Sequence, residues 1–129
     1  FYGSMKKIAL VAVFCIGLIY GSPICTETVN DPEDGSYRYD CFYEGKKLLE
    51  AYTDYKKANK GINGYDELIP TPAVGKNRTD TFKNGILSIE YKWDGDKKLS
   101  VTMIYEGGDV YLIFEESANG TKQSVVYSG

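Results

Sequence analysis

Alternating apolar and polar residues dominate the carboxyl-terminal half of the chain. From Leu87 to Trp93, and again from Leu99 to Tyr105, every second residue is apolar or aromatic, and Asp94-Gly95-Asp96 separates the two runs. A period of two is typical of strands with one buried face. Gly107-Gly108 and Asn119-Gly120 supply the next two turns. The pattern therefore predicts a meander of four antiparallel strands.

A fifth strand is predicted at the front of the meander, where Asn84-Gly85 can pair residues 79–83 with the strand that starts at Ile86. Before it, the period changes to that of a helix over residues 46–60. Leu48, Leu49, Tyr52 and Tyr55 recur at helical spacing. Asp40 is the predicted N-cap, with a start near Lys46 because of the intervening glycine, and Gly61 is the predicted stop.

The predicted fold class is α+β or mainly β, with one amphipathic helix followed by four or five antiparallel strands. Residues 22–40 hold two prolines, a glycine and several acidic groups, so they are expected to form an irregular arm. Residues 41–129 are expected to form a single domain. Either the helix covers the apolar face of the sheet, or the sheet curls into a partial barrel resembling that of lipocalins.

The amino-terminal pattern predicts secretion. From Met5, two lysines precede an apolar run, and small residues follow up to Gly21, which is the order of a signal peptide over residues 5–21. The apolar run is too short to span a bilayer as a helix. Residues 1–4 are interpreted as leader or cloning residues. The mature protein is expected to be extracellular and free of the membrane.

Loss of Cys15 with the signal peptide leaves Cys25 and Cys41 as an even pair. In an oxidising compartment this pair predicts one disulfide, with a stabilisation of about 3 kcal/mol. Two N-x-T tripeptides, at Asn77 and Asn119, lie in predicted loops and are candidate glycosylation sites.

The composition excludes several classes of function. The chain has 129 residues, a formal net charge of −3 and no histidine. The acidic balance argues against a nucleic-acid partner, and the missing histidine removes imidazole-dependent catalysis and metal binding. Glu115 and Glu116 are adjacent on a strand and so point to opposite faces, which prevents them from acting as a catalytic pair. We expect that the protein is not an enzyme, has no catalytic residue and binds no metal or cofactor. We also expect it to be a monomer.

Tyrosine is the most informative residue type, since the chain contains 12 of them. A tyrosine side chain offers a large contact area and a polar tip, which suits recognition surfaces as well as the edges of a core. Core packing and pocket lining cannot be separated for the aromatic and apolar residues on the predicted inner face. The predicted ligand-binding residues are Tyr91, Trp93, Met103, Tyr105 and Phe114.

The strand-rich half resembles the secreted salivary lipocalins of ticks and related arthropods. The resemblance covers roughly residues 80–127 and rests on loose motifs: Thr81-Phe82-Lys83-Asn84-Gly85, Tyr91-Lys92-Trp93, Lys97-Lys98-Leu99-Ser100-Val101-Thr102 and Val125-Val126-Tyr127. It implies a barrel that sequesters a small apolar or amine ligand or a host protein. Against that family the chain is expected to be cut short at its carboxyl end, where it lacks the family's cysteines.

A second resemblance concerns layout alone. One helix followed by four antiparallel strands is similar to the cystatins, which inhibit cysteine proteases by inserting hairpin loops into a cleft. The family's loop signatures are replaced here by Trp93-Asp94-Gly95-Asp96 and Ser117-Ala118-Asn119-Gly120. The alternative function is therefore a secreted inhibitor or interaction module that acts through these hairpin tips.

Overall fold

The structure is a computed structural model that describes residues 23–31 and 36–128. The elements in chain order are β1 (Ile24–Asp31), β2 (Ser36–Glu44), α1 (Leu48–Ala58), a 3-10 turn (Tyr65–Glu67), β3 (Arg78–Thr81), β4 (Ile86–Asp94), β5 (Lys98–Tyr105), β6 (Gly108–Ser117) and β7 (Gly120–Ser128). The predicted leader and signal peptide lie outside the described residues. Within the described ranges, no helix has the length and apolar character needed to cross a membrane.

All the strands belong to one antiparallel sheet with the order β1-β2-β7-β6-β5-β4-β3. The predicted meander is confirmed, because β3 to β7 are neighbours in chain order. The predicted front hairpin is also confirmed, with Asp80 opposite Ile89. The sheet is open, and its edges are β1 and β3. The barrel alternative is therefore wrong for the part of the chain that the structure describes, since its two edge strands do not pair.

The predicted irregular arm over residues 22–40 is wrong for the described residues 24–31 and 36–40, because they lie in the antiparallel pair β1 and β2. Tyr37, Tyr39 and Cys41 alternate with the polar residues Arg38 and Asp40 along β2, and tyrosine favours strands. The other edge of β2 pairs with β7, far along the chain. Asp40 lies within this strand and is no helix cap, whereas α1 falls inside the predicted range 46–60.

The predicted disulfide between Cys25 and Cys41 is confirmed. The two residues lie directly opposite each other in the β1–β2 register, with their Cα atoms 4.0 Å apart. The bond therefore ties the edge strand β1 to β2, its partner among the described strands.

A bulge at the start of β4 corrects one predicted facing. Ile86 pairs with Tyr105 and Ser88 pairs with Ile104, so Leu87 is the extra residue. Leu87 is 41% exposed while Ile86 is fully buried. The prediction that Leu87 faces the core is wrong, because the bulge shifts the alternation by one residue before Ile89.

The core lies between the sheet and a layer made by α1 and residues 59–77, which we call the covering loop. Helix α1 buries Leu48, Ala51, Tyr52 and Tyr55, which recur at the spacing of one helical face. The rings of Tyr52 and Tyr55 lie 5.5 and 5.9 Å from that of Phe114 in β6, measured between centroids. The covering loop adds the buried residues Tyr65, Leu68 and Pro72.

Helix α1 is anchored at its amino end by a carboxylate from the sheet. The backbone N–H of Leu48 donates to Oε1 of Glu116 at 2.9 Å, and Lys97 Nζ lies 3.0 Å from Oε2 of the same carboxylate. The Leu48 N–H and then the Lys97 hydrogen bond lower the pKa of Glu116. Because the side chain is only 16% exposed, water replaces these contacts poorly.

We predict that Glu116→Gln destabilises the fold by about 1–2 kcal/mol near neutral pH. A carboxyl whose pKa is lowered on folding stabilises the protein above its unfolded-state pKa, and that contribution disappears as the pH falls through the folded-state value. The difference from the wild type should therefore shrink on acidification. Urea denaturation at about pH 7 and about pH 3 measures this, with the exposed neighbour variant Glu115→Gln as a control expected to change little. Equal effects of the two variants would contradict the anchor.

Candidate functional site

The five predicted ligand-binding residues lie on the helix-facing side of the sheet. Tyr91, Met103 and Phe114 are at most 1% exposed, while Trp93 and Tyr105 are partly buried at the margin. These side chains pack against the core under α1 and the covering loop, so a ligand could reach Met103 and Phe114 only by displacing that layer. Their role in ligand binding stays a prediction, but their packing in this structure is that of a core.

The hydroxyls of Tyr52, Tyr91 and Tyr105 hold the covering loop in place. The Tyr52 hydroxyl donates to the carbonyl of Ile69 at 2.6 Å, and the N–H of Ile69 donates to Tyr91 Oη at 3.0 Å. The Tyr105 hydroxyl donates to the carbonyl of Asn63 at 2.6 Å. These bonds satisfy backbone groups that have no partner in a regular element. The polar tips of these rings are thus used for structure.

A second group of aromatic rings remains accessible where β2 and β7 pair. Tyr37 lies opposite Tyr127, and their rings stack with centroids 4.7 Å apart and an interplanar angle of 30°. The ring of Tyr39 meets Tyr37 edge-on at 5.8 Å. Tyr39 is 37% exposed, and Tyr37 and Tyr127 are partly exposed. We call Tyr37, Tyr39, Tyr127 and the adjacent Glu27 the tyrosine patch.

The charge at the tyrosine patch is negative. Glu27 in β1 is exposed and lies opposite Tyr39 in the strand register. Its charge raises the pKa of Tyr39, and burial raises the pKa of Tyr127. Both phenols are therefore neutral at physiological pH. The patch presents electron-rich ring faces next to one carboxylate, an arrangement that attracts organic cations.

The buried residues Tyr65 and Tyr55 lie near the patch residue Tyr127. Tyr65 in the covering loop is 5% exposed, and its hydroxyl lies 3.2 Å from that of Tyr55 in α1. Burial raises the pKa of Tyr65 well above its usual range, and the hydrogen bond with Tyr55 opposes this only in part. Of the patch residues, Tyr127 packs against this core, and Tyr37 stacks on Tyr127.

A cleft of about 350 Å³ opens on another side of the molecule, between the covering loop and β3. Its lining residues are Ile69, Thr71, Pro72, Ala73, Lys76, Asn77, Arg78 and Tyr91. Tyr91 is the only predicted ligand-binding residue among them. The other four predicted ligand-binding residues do not line this cleft.

The two hairpin tips named in the sequence lie side by side at one end of the sheet. The N–H of Glu116 donates to the carbonyl of Lys97 at 2.8 Å, and the N–H of Gly45 donates to that of Asn119 at 2.9 Å. The structure therefore brings the β4–β5 and β6–β7 tips together beside the start of α1. Within the described residues no group of three or more carboxylates or cysteines is placed to hold a metal ion.

No residue of the tyrosine patch is among the predicted ligand-binding residues. Tyr37 and Tyr39 lie in the range predicted as an irregular arm, whereas in the structure both belong to strand β2. No family model, curated protein or solved structure matches the chain. The site must therefore be judged on its own geometry.

Proposed function

We propose that the chain is a secreted, non-enzymatic binding protein that captures a small organic amine on the tyrosine patch. The observation that carries the proposal is the stacked pair Tyr37–Tyr127 with Tyr39 and Glu27 beside it. Aromatic faces attract ammonium groups by about 0.5–2 kcal/mol each, depending on how far the cation is desolvated. The nearby carboxylate adds charge complementarity. The amino-terminal pattern and the disulfide support secretion.

Calorimetric titration of the secreted protein with choline, against its uncharged isostere 3,3-dimethylbutanol, tests the cation requirement. The two probes have nearly the same shape, so a difference in affinity reports the charge. We expect choline to bind about 3- to 30-fold more tightly. Equal affinities, or no heat with either probe, would refute capture of an amine. Heat with hexanoate alone would instead favour an apolar ligand.

Substitutions locate the site. Tyr37→Leu removes the central ring of the patch and should weaken choline binding by about 3- to 30-fold. Glu27→Gln should weaken it less. The matched control is Tyr111→Leu, because Tyr111 is a partly buried tyrosine on the opposite sheet face whose hydroxyl donates to a carboxylate, that of Asp109, at 3.1 Å. Equal losses in Tyr37→Leu and Tyr111→Leu would contradict binding at the patch.

A secreted inhibitor or interaction module is the second candidate, and the adjacency of the two hairpin tips favours it. The tips present Asp96 and Asn119, both exposed. A tip variant that carries Asp96→Ala and Asn119→Ala should bind choline as the wild type does if the patch is the site. If this tip variant folds normally but no longer binds choline, the hairpin tips and not the tyrosine patch are the binding site.

A further inference from the structure

The residues that precede and begin β3 carry the sequence Asn77-Arg78-Thr79, an acceptor pattern for N-linked glycans. All three residues are exposed. Asn77 lies at the rim of the cleft beside the covering loop, and the next two residues form the start of an edge strand. The acceptor asparagine therefore sits where a bulky, hydrophilic group meets solvent and the open side of the sheet.

The side-chain amide of Asn77 is already oriented for such a group. Its Oδ1 accepts the backbone N–H of Trp93 at 2.9 Å. Its Nδ2, the atom that joins the sugar, has no hydrogen-bond partner among the residues that the structure describes. Since glycosylation leaves Oδ1 unchanged, the bond to Trp93 can persist in the modified protein. The sugar would then project from a fixed anchor.

The second acceptor sequence, at Asn119, differs from the first in how the folded chain buries it. Asn119 is exposed in the β6–β7 turn, but Thr121 is fully buried, and its hydroxyl donates to the carbonyl of Lys46 at 2.8 Å. The folded chain thus hides the hydroxyl that defines the acceptor sequence. At Asn77 the corresponding hydroxyl, that of Thr79, stays accessible in the folded protein.

Strand β3 has an open edge that calls for protection. It pairs with β4 on one side, and among the described strands it has no neighbour on the other. Unpaired strand edges invite pairing with a second chain, and lysine or proline commonly blocks them. β3 contains neither, and its charged residues Arg78 and Asp80 neutralise each other in an ion pair at 2.9 Å. A glycan one residue before the strand would supply the missing barrier.

We propose that Asn77 carries an N-linked glycan that covers the β3 edge and keeps the protein monomeric. In the reaction, Nδ2 forms a bond to the anomeric carbon of a lipid-pyrophosphate-linked oligosaccharide. Nδ2 loses a proton, and the lipid pyrophosphate leaves with the electron pair of the broken C–O bond. The inference rests on the proposed secretion but not on any ligand, so its test is independent of the tyrosine patch.

The test is expression of the full chain through a eukaryotic secretory pathway, followed by intact-mass analysis before and after peptide N-glycosidase. We expect enzymatic deglycosylation to convert Asn77 to aspartate. Asn77→Gln and Thr79→Ala should abolish the glycan at this site, whereas Thr79→Ser should retain it because serine also supplies a hydroxyl. Secreted wild-type protein without a sugar at Asn77 would overturn the proposal.

Light scattering after size-exclusion chromatography tests the role of the glycan. We expect the wild type and Asn119→Gln to stay monomeric and Asn77→Gln to shift toward dimers or larger species at the same concentration. The double variant Asn77→Gln/Thr79→Lys also lacks the glycan but places a lysine on the edge strand, so it should recover the monomer. A monomeric Asn77→Gln protein, or no recovery in the double variant, would refute protection of the edge.

Discussion

Phe114→Ala is expected to destabilise the protein by about 3–5 kcal/mol, which is a large part of the stability of a domain of this size. Phe114 is fully buried in β6, and the rings of Tyr52 and Tyr55 in α1 pack against it. Removal of its ring leaves a cavity at the contact between helix and sheet. Neither tyrosine can fill this cavity freely, because their hydroxyls are bonded to Ile69 and Tyr65.

Thermal or urea unfolding, followed by circular dichroism, measures the effect. Phe114→Leu is the control and should cost much less, because it keeps most of the apolar volume. Phe114 is also one of the residues predicted to bind ligand. A Phe114→Ala protein with unchanged stability but altered ligand binding would show that the ring lines a site and is not part of the packed core.

Gly120→Ala is expected to cost about 3 kcal/mol, through a clash and backbone strain together. Gly120 begins β7 with a φ of +151°. A methyl group there would collide with the carbonyl oxygen of Tyr43 and approach Cζ of Phe42 to 2.9 Å. The first obstacle is backbone of the neighbouring strand β2, which cannot turn away as a side chain can.

Gly107→Ala is the matched control for this prediction. Gly107 lies in the turn between β5 and β6, and an added Cβ would meet nothing within 4 Å. We expect its denaturation midpoint to stay close to that of the wild type. If the two glycine variants unfold at the same denaturant concentration, the close approach of β2 and β7 at this position is refuted.

The sequence was sufficient to predict helix α1 and the run of strands from β3 to β7. The strands β3 to β7 follow one another through short turns, and period-two alternation with glycine turns specified their pairing. Helix α1 was predicted from Leu48, Tyr52 and Tyr55, which do face the core. Local pattern and global fold agree in these segments.

Prediction failed for β1 and β2, because the prolines, glycine and acidic residues in and around them are typical of an irregular segment. Strand β2 pairs with β1 on one side, but its other partner is β7, far along the chain. The bulge at Leu87 likewise depends on how β5 pairs with β4, and no local signal shifts the alternation. Tyr91 and Phe114 are indistinguishable from pocket residues until the covering helix and loop are placed, and Tyr127 joins Tyr37 only in the folded sheet.

The position of β2 beside the last strand imposes an order of assembly on the nascent chain. The hairpin of β1 and β2 needs only local contacts and can be oxidised at Cys25 and Cys41 early in synthesis. The other edge of β2 stays unpaired until β7 has been synthesised. Asp40 in β2 and its hydrogen-bond donor Ser124 in β7 are 84 residues apart in the sequence. Such non-local closure is slow and leaves strand edges exposed meanwhile. We therefore expect completion of the fold to wait until β7 has left the ribosome and can pair with β2.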